Sequence, residues 1–444
     1  MFSGTLTEGR ILVDAKGGDV TLVLNGADIT CSTGSPLYIY QSACTTVHVM
    51  EGTENALTDG SNYTFADSRS SEADDEPNAC LCSKSDLVLQ GAGGLTVNGN
   101  YRNGITGKDT LEIYDLTLTV TAVGNGISGK DSNTIDSANI TVACGEDAIR
   151  STNDTDAAKG WVRISNSVLN LTAGEDGIQS ETDAILSSGS YTITSGGGST
   201  ILPDEDVSAK GIKAGGELKL LSGLYVLDCS DDAVHSNGNV AVAGGVYTVS
   251  SGDDAFHSDG TLAVSGGQID ILTSYEGLEG SNVEISGGTL LAVGSGGMPQ
   301  APSSSEQPVI YIGLENALEK GSLVAFTGEE QQFIYEMPIR TANLVFSAPE
   351  LKQGGTYAVS TGGTCTGDST DGVYSDGTYS GGTVLTELTL TETITRYGSS
   401  GSGFGSKGNR GGMTQDGTMQ PGDKQRPMDG TGGDWDRPAD GTMK

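Results

Sequence analysis

Positive charge is scarce in this chain of 444 residues. Lys and Arg together number 23, against 58 Asp and Glu, so the formal net charge is −35. Binding of nucleic acid or of an anionic membrane surface depends on surfaces rich in Lys and Arg. We therefore expect no nucleic-acid partner and no attraction to such membranes. The natural complement of this surface is a cation, or a ligand that a cation bridges.

Aromatic residues and long apolar runs are also rare. Phe, Trp and Tyr make up 5% of the chain, and no run approaches the ~18 apolar residues of a membrane span. The N-terminus has neither the basic nor the apolar region of a signal peptide, while strand-like sequence begins almost at once. We therefore expect a fragment of a longer secreted precursor, located outside the cell or on a bacterial cell surface.

Cysteine is too sparse and too scattered for a disulfide scaffold. The chain has seven cysteines, and a small disulfide-rich fold needs several at close, regular spacing. We expect most of them to be small buried hydrophobic residues.

Glycine, in contrast, is abundant with 68 residues, and much of it belongs to a repeated motif. Examples of the motif are GEDGIQS, SDDAVHS and GDDAFHS. The central apolar residues are Ile105, Ile127, Ile149, Ile178, Ile212, Val234, Phe256 and Leu278. The steps between them are 22, 22, 29, 34, 22, 22 and 22 residues. The two longer steps contain polar inserts that are typical of loops, so the repeat predicts a solenoid.

Between the motifs, apolar and polar residues alternate with a period of two, which indicates strands. Gly-Gly pairs such as Gly244-Gly245 and Gly266-Gly267 mark the predicted corners. Stacked parallel strands would add about 4.8 Å per coil. We predict an all-β, right-handed parallel β-helix with 22-residue coils; the signature of leucine-rich repeats is missing.

The change in sequence style predicts four segments. The β-helix would occupy residues 1–298 and a Pro/Ser-rich linker residues 299–308. A small separate β module would follow at 309–397, because its strand-like runs do not recur at a spacing of 22 residues. The Gly/Asp-rich tail at 398–444 has a composition typical of disorder.

Stacking would place like residues above one another. Two positions before the central residue stand Asn103, Asn125, Asp147, Asp176, Lys210, Asp232, Asp254 and Glu276. Carboxylates about 5 Å apart repel by about 3 kcal/mol at an effective dielectric constant near 20. Such a column needs a counter-ion, a shared proton or a neighbouring Lys.

Calcium suits this column because Ca²⁺ accepts six to eight oxygen ligands in flexible geometry. The first candidate cluster is Asp231, Asp232, Asp253, Asp254, Glu276 and Glu279. The second candidate cluster is Glu146, Asp147, Glu175 and Asp176. Lys210 and Lys213 lie between the two and could neutralise both flanks. The alternative is an acidic face balanced only by Lys and dissolved salt.

Histidine and tyrosine side chains in the motif suggest ligand contacts. His235 and His257 share a column, where they could bind Zn²⁺ with adjacent Asp residues or simply stack and form hydrogen bonds. Tyr275 and Tyr101 lie within the motif and are candidates for stacking on a sugar. Tyr225 and Tyr247 fall in the apolar column, where we expect a buried aromatic stack.

The motifs SDDAVHS, GDDAFHS, SYEGLEG and SAKGIKA, with EGTENALTDG at 51–60, resemble a bacterial family of calcium-binding, carbohydrate-binding parallel β-helix proteins. That family is similar in shape to polysaccharide lyase family 9, and the resemblance covers about residues 4–298. It implies secretion or surface display, Ca²⁺ held by motif carboxylates, and binding of acidic, pectin-like polysaccharide. The implied calcium ligands are Asp231, Asp232, Asp253, Asp254, Glu276 and Glu279, with Asp147 and Asp176 in earlier coils. Family members often continue with another acidic coil where this chain has Gly296-Gly297.

Three functions follow from these features. The first is non-catalytic, calcium-dependent binding of an acidic polysaccharide such as polygalacturonate by a monomer, with Lys210, Lys213, His235, His257 and Tyr275 in contact with the glycan. The second is a calcium-dependent pectate lyase that uses Lys210 or Lys213 as its base. The third is a structural or adhesive cell-surface solenoid.

Overall fold

The computed structural model describes residues 1–203, 207–295, 300–370, 372–374 and 377–398. Within these ranges the regular structure consists of β-strands alone, without α-helices, which confirms the all-β prediction. No helix long and apolar enough to span a membrane occurs among the described residues. The predicted end of the repeat at 296–298 and the predicted tail from 399 onward lie outside the described residues.

Most strands belong to one long sheet arranged as three columns of parallel strands, in the manner of a β-solenoid. The motif column contains the central residues of the repeat. Its strands are Ile11–Asp14, Leu37–Gln41, Ala79–Ser83, Asn103–Gly107, Ile127–Gly129, Ile149–Ser151, Ile178–Ser180, Ile212–Ala214, Val234–Ser236 and the first parts of Phe256–Val264 and Leu278–Ile285.

The second column follows the motif column along the chain. Its strands are the first part of Val20–Cys31, then Cys44–Val49, Asp86–Gln90, Thr110–Tyr114, Ser132–Asp136, Trp161–Ser165, Ala184–Leu186, Leu218–Leu220, Val240–Val242, the last parts of Phe256–Val264 and Leu278–Ile285, and Ser304–Ser305.

The third column closes each coil and leads back to the next motif. Its strands are Phe2–Leu6, the last part of Val20–Cys31, Glu54–Asp59, Gly94–Gly99, Thr117–Ala122, Asn139–Cys144, Ser167–Ala173, Gly189–Ser195, Leu224–Cys229, Val246–Ser251, Gln268–Thr273 and Thr289–Gly294.

The strand register places equivalent motif residues opposite one another. Central residues pair in the order Ile105, Ile127, Ile149, Ile178, Ile212, Val234, Phe256, Leu278. The first polar insert lies in the loop that connects Ser151 to Trp161, and the described part of the second follows Ser195. The inserts leave the pairing on either side of them unchanged, because each begins and ends at a corner.

The core lies between the three columns and is built from the inward positions of each strand. Val120 and Leu118 are buried, whereas Thr119 between them is exposed, and this alternation recurs along the third column. Burial of these apolar side chains supplies the main driving force for stacking the coils. Four of the seven cysteines are buried and all are free thiols, as expected from their small size.

A stack of three tyrosines runs through this core. Tyr191, Tyr225 and Tyr247 lie with ring centroids 4.7 and 4.4 Å apart and nearly parallel planes. Each hydroxyl donates to a backbone carbonyl three residues earlier, at the corner that precedes its strand. This confirms the predicted burial of Tyr225 and Tyr247, and adds Tyr191, which aligns with them through the longer loop.

Glycine turns these corners, as the Gly-Gly pairs predict. Gly245 and Gly267 have φ angles of 107° and 98°, in the region that L side chains rarely adopt. In earlier coils Asp115, Ser137 and Asn166 take a positive φ near the same corner. Asp and Asn tolerate that conformation better than most residues.

A β-sandwich covers the C-terminal end of the solenoid. Its strand Thr341–Ser347 pairs antiparallel with Thr289–Gly294 of the third column, and it also pairs antiparallel with Val309–Leu318. Ile394–Tyr397 completes this layer by pairing with Val309–Leu318. The predicted module at 309–397 thus continues the sheet of the solenoid.

A second layer packs on the first. It contains the strands Leu323–Thr327, Gln332–Glu336, Thr356–Thr361, Ser369–Thr370, Val373–Tyr374 and Thr383–Thr389, beside a short pair of strands, Thr364–Cys365 and Tyr379–Ser380. Leu291 and Val293 of the solenoid share one buried cluster with Phe326 and Phe346. The solenoid and its C-terminal cap therefore share both a sheet and a core.

Candidate functional site

The column two positions before the central residue lies at the corner where the third column of strands leads into the motif column. Along it, side-chain Oδ1 atoms accept hydrogen bonds from the backbone N–H of the next coil. The pairs are Asn103 with Asn125 N (3.0 Å), Asn125 with Asp147 N (3.2 Å), Asp147 with Asp176 N (2.9 Å), Asp176 with Lys210 N (2.8 Å) and Asp232 with Asp254 N (2.9 Å). The column therefore satisfies backbone donors that no strand partner reaches, which explains why either Asn or Asp can occupy it.

Lys210 interrupts this ladder because its side chain has no acceptor. The N–H of Asp232 donates instead to Asp231 Oδ1 on its own coil, at 3.0 Å. The buried ammonium of Lys210 lies 3.0 Å from Asp231 Oδ2, while Lys213 Nζ lies 3.6 Å from Asp176 Oδ2. The two lysines thus face opposite flanks, as the sequence predicts.

In three coils another basic side chain comes from the position three residues after the acid. Arg150 Nη1 lies 3.2 Å from Asp147 Oδ2. His235 Nδ1 lies 2.9 Å from Asp232 Oδ2, and His257 Nδ1 lies 3.1 Å from Asp254 Oδ2. The second carboxylate oxygen in these coils is therefore matched by a cationic or donor side chain of the same motif.

The two histidines stack on each other, with ring centroids 4.7 Å apart and planes 15° apart. Their Nε2 atoms approach Asn237 Oδ1 at 2.9 Å and Asp259 Oδ1 at 3.4 Å. His257 Nδ1 also lies 3.2 Å from Glu279 Oε2. Burial by itself would lower the pKa of His257, but hydrogen bonds with Asp254 and Glu279 raise it to about 11, so this ring is a cation at neutral pH.

Five of the six residues in the first predicted calcium cluster come together in the structure. Three groups have potential ligand atoms within 4.8 Å of one another: Asp231, Asp232 and Asp253; Asp232, His235 and His257; and Asp254, His257 and Glu279. The first group offers oxygen atoms only, and its three side chains are buried. Glu276, which is half-buried, belongs to none of these groups within the described residues.

Asp254 is the most distinctive member of this site, because it is fully buried and its Oδ1 has no hydrogen-bond partner among the described residues. Burial and then the charge of Asp253 raise its pKa well above the usual range, against the opposing effect of His257. At the equivalent Asp232, burial is outweighed by the hydrogen bond with His235 and by Lys210, so the pKa is lowered. An orphaned buried carboxylate oxygen among other acids is a position where a cation would be stabilised.

The second predicted cluster is arranged differently. Burial and the nearby charge of Asp176 raise the pKa of Asp147 to about 7, and burial and Glu146 raise the pKa of Glu175. Glu146 Oε2 accepts a hydrogen bond from Asn125 Nδ2 at 2.6 Å. No set of three potential metal ligands within 4.8 Å includes these acids in the described part of the chain.

Lys210 is poorly suited to act as a base. Burial would lower its pKa, but Asp231 and Asp232 outweigh that effect and raise the pKa above its usual value. A base of this kind must lose its proton near the working pH, whereas this ammonium is held in a buried ion pair. Lys213 faces Asp176 and, at 3.3 Å, Ser208 Oγ.

Tyr275 is half-buried on the coil that follows Asp253, and its N–H donates to the Asp253 carbonyl at 2.8 Å. The sequence argument missed Asn237 and Asp259, which approach the outer nitrogen of each histidine. The signal was present: in HSN and HSD an oxygen-bearing side chain stands two residues after each His, and alternate residues of a strand share a face.

Comparison with known proteins adds the following findings. The family described as carbohydrate-binding domain-containing protein matches residues 1–255, more than half of the chain. A carbohydrate-binding domain-containing protein of Acetivibrio thermocellus is 35% identical over 212 residues, which is 48% of this chain and 70% of that protein. A solved structure described as the polysaccharide lyase-like protein from C. thermocellum, in a gadolinium derivative, is 36% identical over 44% of this chain and 78% of that one, with a TM-score of 0.42. On the first two findings, this chain belongs to the family of carbohydrate-binding domain-containing proteins.

Proposed function

We propose that the protein binds an acidic polysaccharide without cleaving it, and that Ca²⁺ held by Asp231, Asp232, Asp253 and Asp254 connects protein and glycan. Family membership supports the carbohydrate part of this proposal. The single observation that carries the cation part is the buried Oδ1 of Asp254, which lacks a hydrogen-bond partner among the described residues.

The donor set fits calcium. Asp231, Asp232 and Asp253 offer only oxygen atoms, and Ca²⁺ is a hard cation that prefers oxygen. Six acids at this corner face one ammonium and two imidazole rings, so negative charge remains in excess even when both rings are protonated. A divalent cation would reduce that excess at a place where Lys210, His235 and His257 already meet one oxygen each of Asp231, Asp232 and Asp254.

A bridging cation also explains how so acidic a chain could hold an acidic glycan. With a net charge of −35, direct contact with a uronate chain would be repulsive over short distances. Calcium could share its coordination between a protein carboxylate and a uronate carboxylate, and thereby turn repulsion into attraction. Half-buried Glu276 and Glu279 lie on the outer part of this corner, where a glycan could reach them.

Further expectations accompany this function. We propose a right-handed solenoid whose regular coil has 22 residues, which the register of Val234 with Phe256 and of Phe256 with Leu278 supports. Action as a monomer outside the cell or on a bacterial surface, on pectin-like chains, fits the resemblance of the acidic motifs. The buried ion pair of Lys210 favours binding over lyase chemistry.

The test is electrophoresis of the protein through gels that contain polygalacturonate, with calcium or with a chelator. We expect retardation in calcium only, and at least a tenfold weaker calcium affinity by calorimetry in D232N and D254N. Asp28→Asn, at an exposed acid on the strand Val20–Cys31, is the matched control and should retain both properties. Equal mobility with calcium and chelator, or unchanged calcium affinity in both variants, would contradict the proposal.

A further inference from the structure

A surface pocket of about 270 Å³ lies near the N-terminal coils, away from the histidine stack. Its lining includes Glu8, Arg10, Gly34, Tyr63, Phe65 and Asp67. The outer wall belongs to the segment 60–78, which connects the strand Glu54–Asp59 to Ala79–Ser83. In most later coils the same corner is crossed by only three or four residues, the exception being the insert between Ser195 and Ile212, so this long segment is an addition to the repeat.

The wall is held in place by charged and aromatic contacts. Arg10 Nη2 donates to Asp67 Oδ2 at 2.7 Å, and Arg69 Nε donates to Asp14 Oδ2 at 2.9 Å. The Tyr63 hydroxyl donates to Asp59 Oδ2 at 2.7 Å. These bonds connect the added segment to three different strands or corners, so the pocket is formed before any ligand arrives.

Phe65 takes a conformation that its own backbone disfavours. Its φ angle is 47°, in the left-handed region that bulky residues rarely occupy. Strain of this kind is found mainly where function fixes a side chain. Here it accompanies a ring that lines the pocket and lies 6.1 Å, centroid to centroid, from Tyr63.

The chemistry of the lining matches a sugar. Aromatic rings offer flat apolar surfaces to the C–H face of a pyranose ring, while carboxylate and guanidinium groups accept and donate hydrogen bonds to its hydroxyls. Two acids, Glu8 and Asp67, face one arginine, so the pocket disfavours an anion. Its volume lies just below the range of about 300–1,000 Å³ that is typical of drug-sized ligands, which suits one sugar ring.

We propose that this pocket binds a single neutral pyranose unit, as a second carbohydrate site distinct from the acidic corner formed by Asp231, Asp232, Asp253 and Asp254. The inference rests on the proposed function, because a polysaccharide is the natural source of that unit. The pocket also lies on the same edge of the solenoid. Tyr63 stacks at 4.2 Å on Tyr101 of the first motif, and Ala79, where the added segment ends, pairs with Asn103 of the column.

Gly34 provides a direct way to close the pocket. A Cβ atom built there would come no closer than 3.9 Å to its neighbours, Arg10 Nη1 and Cys31 Sγ. The backbone at Gly34 is not in the left-handed region, so a side chain is compatible with it. Gly34→Leu should fill the cavity without disturbing the fold, and Gly34→Ala is the matched control.

The experiment measures binding of glucose, galactose, mannose and xylose by ligand-observed NMR in a chelator, which keeps the acidic corner free of calcium. We expect at least one neutral sugar to bind with a Kd of about a millimolar, and G34L and F65A to weaken it at least tenfold. Gly34→Ala should bind as the unaltered protein does. Thermal melting of each variant identifies any that fail to fold.

Several results would overturn the proposal: no neutral sugar binding at tens of millimolar, unchanged binding in folded G34L, or tighter binding of glucuronate than of glucose. These results leave the calcium-dependent retardation by polygalacturonate unaffected. Loss of that retardation alone would instead contradict the function proposed for the acidic corner.

Discussion

At the scale of single residues, the acidic corner shows that one carboxylate can serve two purposes. Asp232 uses Oδ1 to accept the N–H of Asp254 and Oδ2 to meet His235. The first contact holds adjacent coils together, and the second pairs the carboxylate with an imidazole ring of its own motif. An Asn or Asp at this position is therefore favoured by the backbone before any ligand is considered, and its presence alone does not predict a cation site.

The charge of His257 predicts a pH dependence of stability. Its pKa is about 11 in the folded protein, against an ordinary value of 6.5, so the folded state binds this proton more tightly than the unfolded state does. The stabilisation is complete below the unfolded value and declines as the pH rises toward the folded one. In a chelator, urea unfolding should therefore show a free energy that falls between about pH 7 and pH 9.

His257→Gln provides the comparison for that prediction. It retains hydrogen-bonding capacity but carries no titrating charge, so its free energy of unfolding should fall less over the same interval. Parallel pH profiles for the two proteins would show that the ring is not protonated as proposed.

At the scale of the strand and its corner, the fold depends on a few backbone positions that admit little besides glycine. Gly245 has a φ of 107°, and a Cβ there would lie 3.0 Å from the carbonyl oxygen of Gly223 and 3.1 Å from the ring of Tyr247. The corner thus joins a strained turn to the buried tyrosine stack. Neither the turn nor the tyrosine stack can shift without disturbing the other.

Gly245→Ala should accordingly lower the free energy of unfolding by about 1–3 kcal/mol. Gly18→Ala is the control, because its Cβ would approach only the Ala15 carbonyl oxygen, at 3.5 Å, in an exposed turn without positive φ. Urea unfolding of both variants measures the difference. Equal stability of the two would show that the corner relaxes freely.

Strands and corners were also the elements that the sequence predicted best. The alternation around Thr119 and the spacing of Ile105 and Ile127 are physical consequences of a two-residue period and of stacking, so they are visible in one chain. The pocket around Phe65 was not visible, because the segment 60–78 follows no repeat. Its contacts join residues more than fifty positions apart, such as Arg10 and Asp67.

At the scale of the whole molecule, the cap changes how the solenoid ends. Thr341–Ser347 pairs with Thr289–Gly294, and so supplies hydrogen bonds to what would be an open edge. Open strand edges invite pairing with other chains. The sequence predicted a separate module at 309–397 because its strand-like runs do not recur every 22 residues. Absence of the repeat does not, however, prevent the module from sharing a sheet with the solenoid.

This arrangement predicts that damage to the cap reaches the solenoid. Phe346 is fully buried and stacks on Phe326 at 4.6 Å, so Phe346→Ala should lower the free energy of unfolding by about 3–5 kcal/mol. Hydrogen exchange in Thr289–Gly294 should accelerate with it. Phe2→Ala, at a partly exposed ring, should leave exchange there unchanged.

Unaltered exchange in Thr289–Gly294 of a destabilised F346A protein would show instead that cap and solenoid unfold independently. Whether cap and solenoid unfold together also decides where the net charge has its effect on stability. Repulsion spread over a long acidic body acts on whichever end opens most easily.

The loop between Ser151 and Trp161 carries a practical consequence. It adds residues at a corner while the pairing of Ile149 with Ile178 and of Ile135 with Ile164 continues across it. A foreign peptide grafted between Thr155 and Ala158 would thus be displayed on a rigid scaffold, with its two ends anchored by neighbouring coils. This loop already accommodates an insertion without loss of the strand pairing on either side of it.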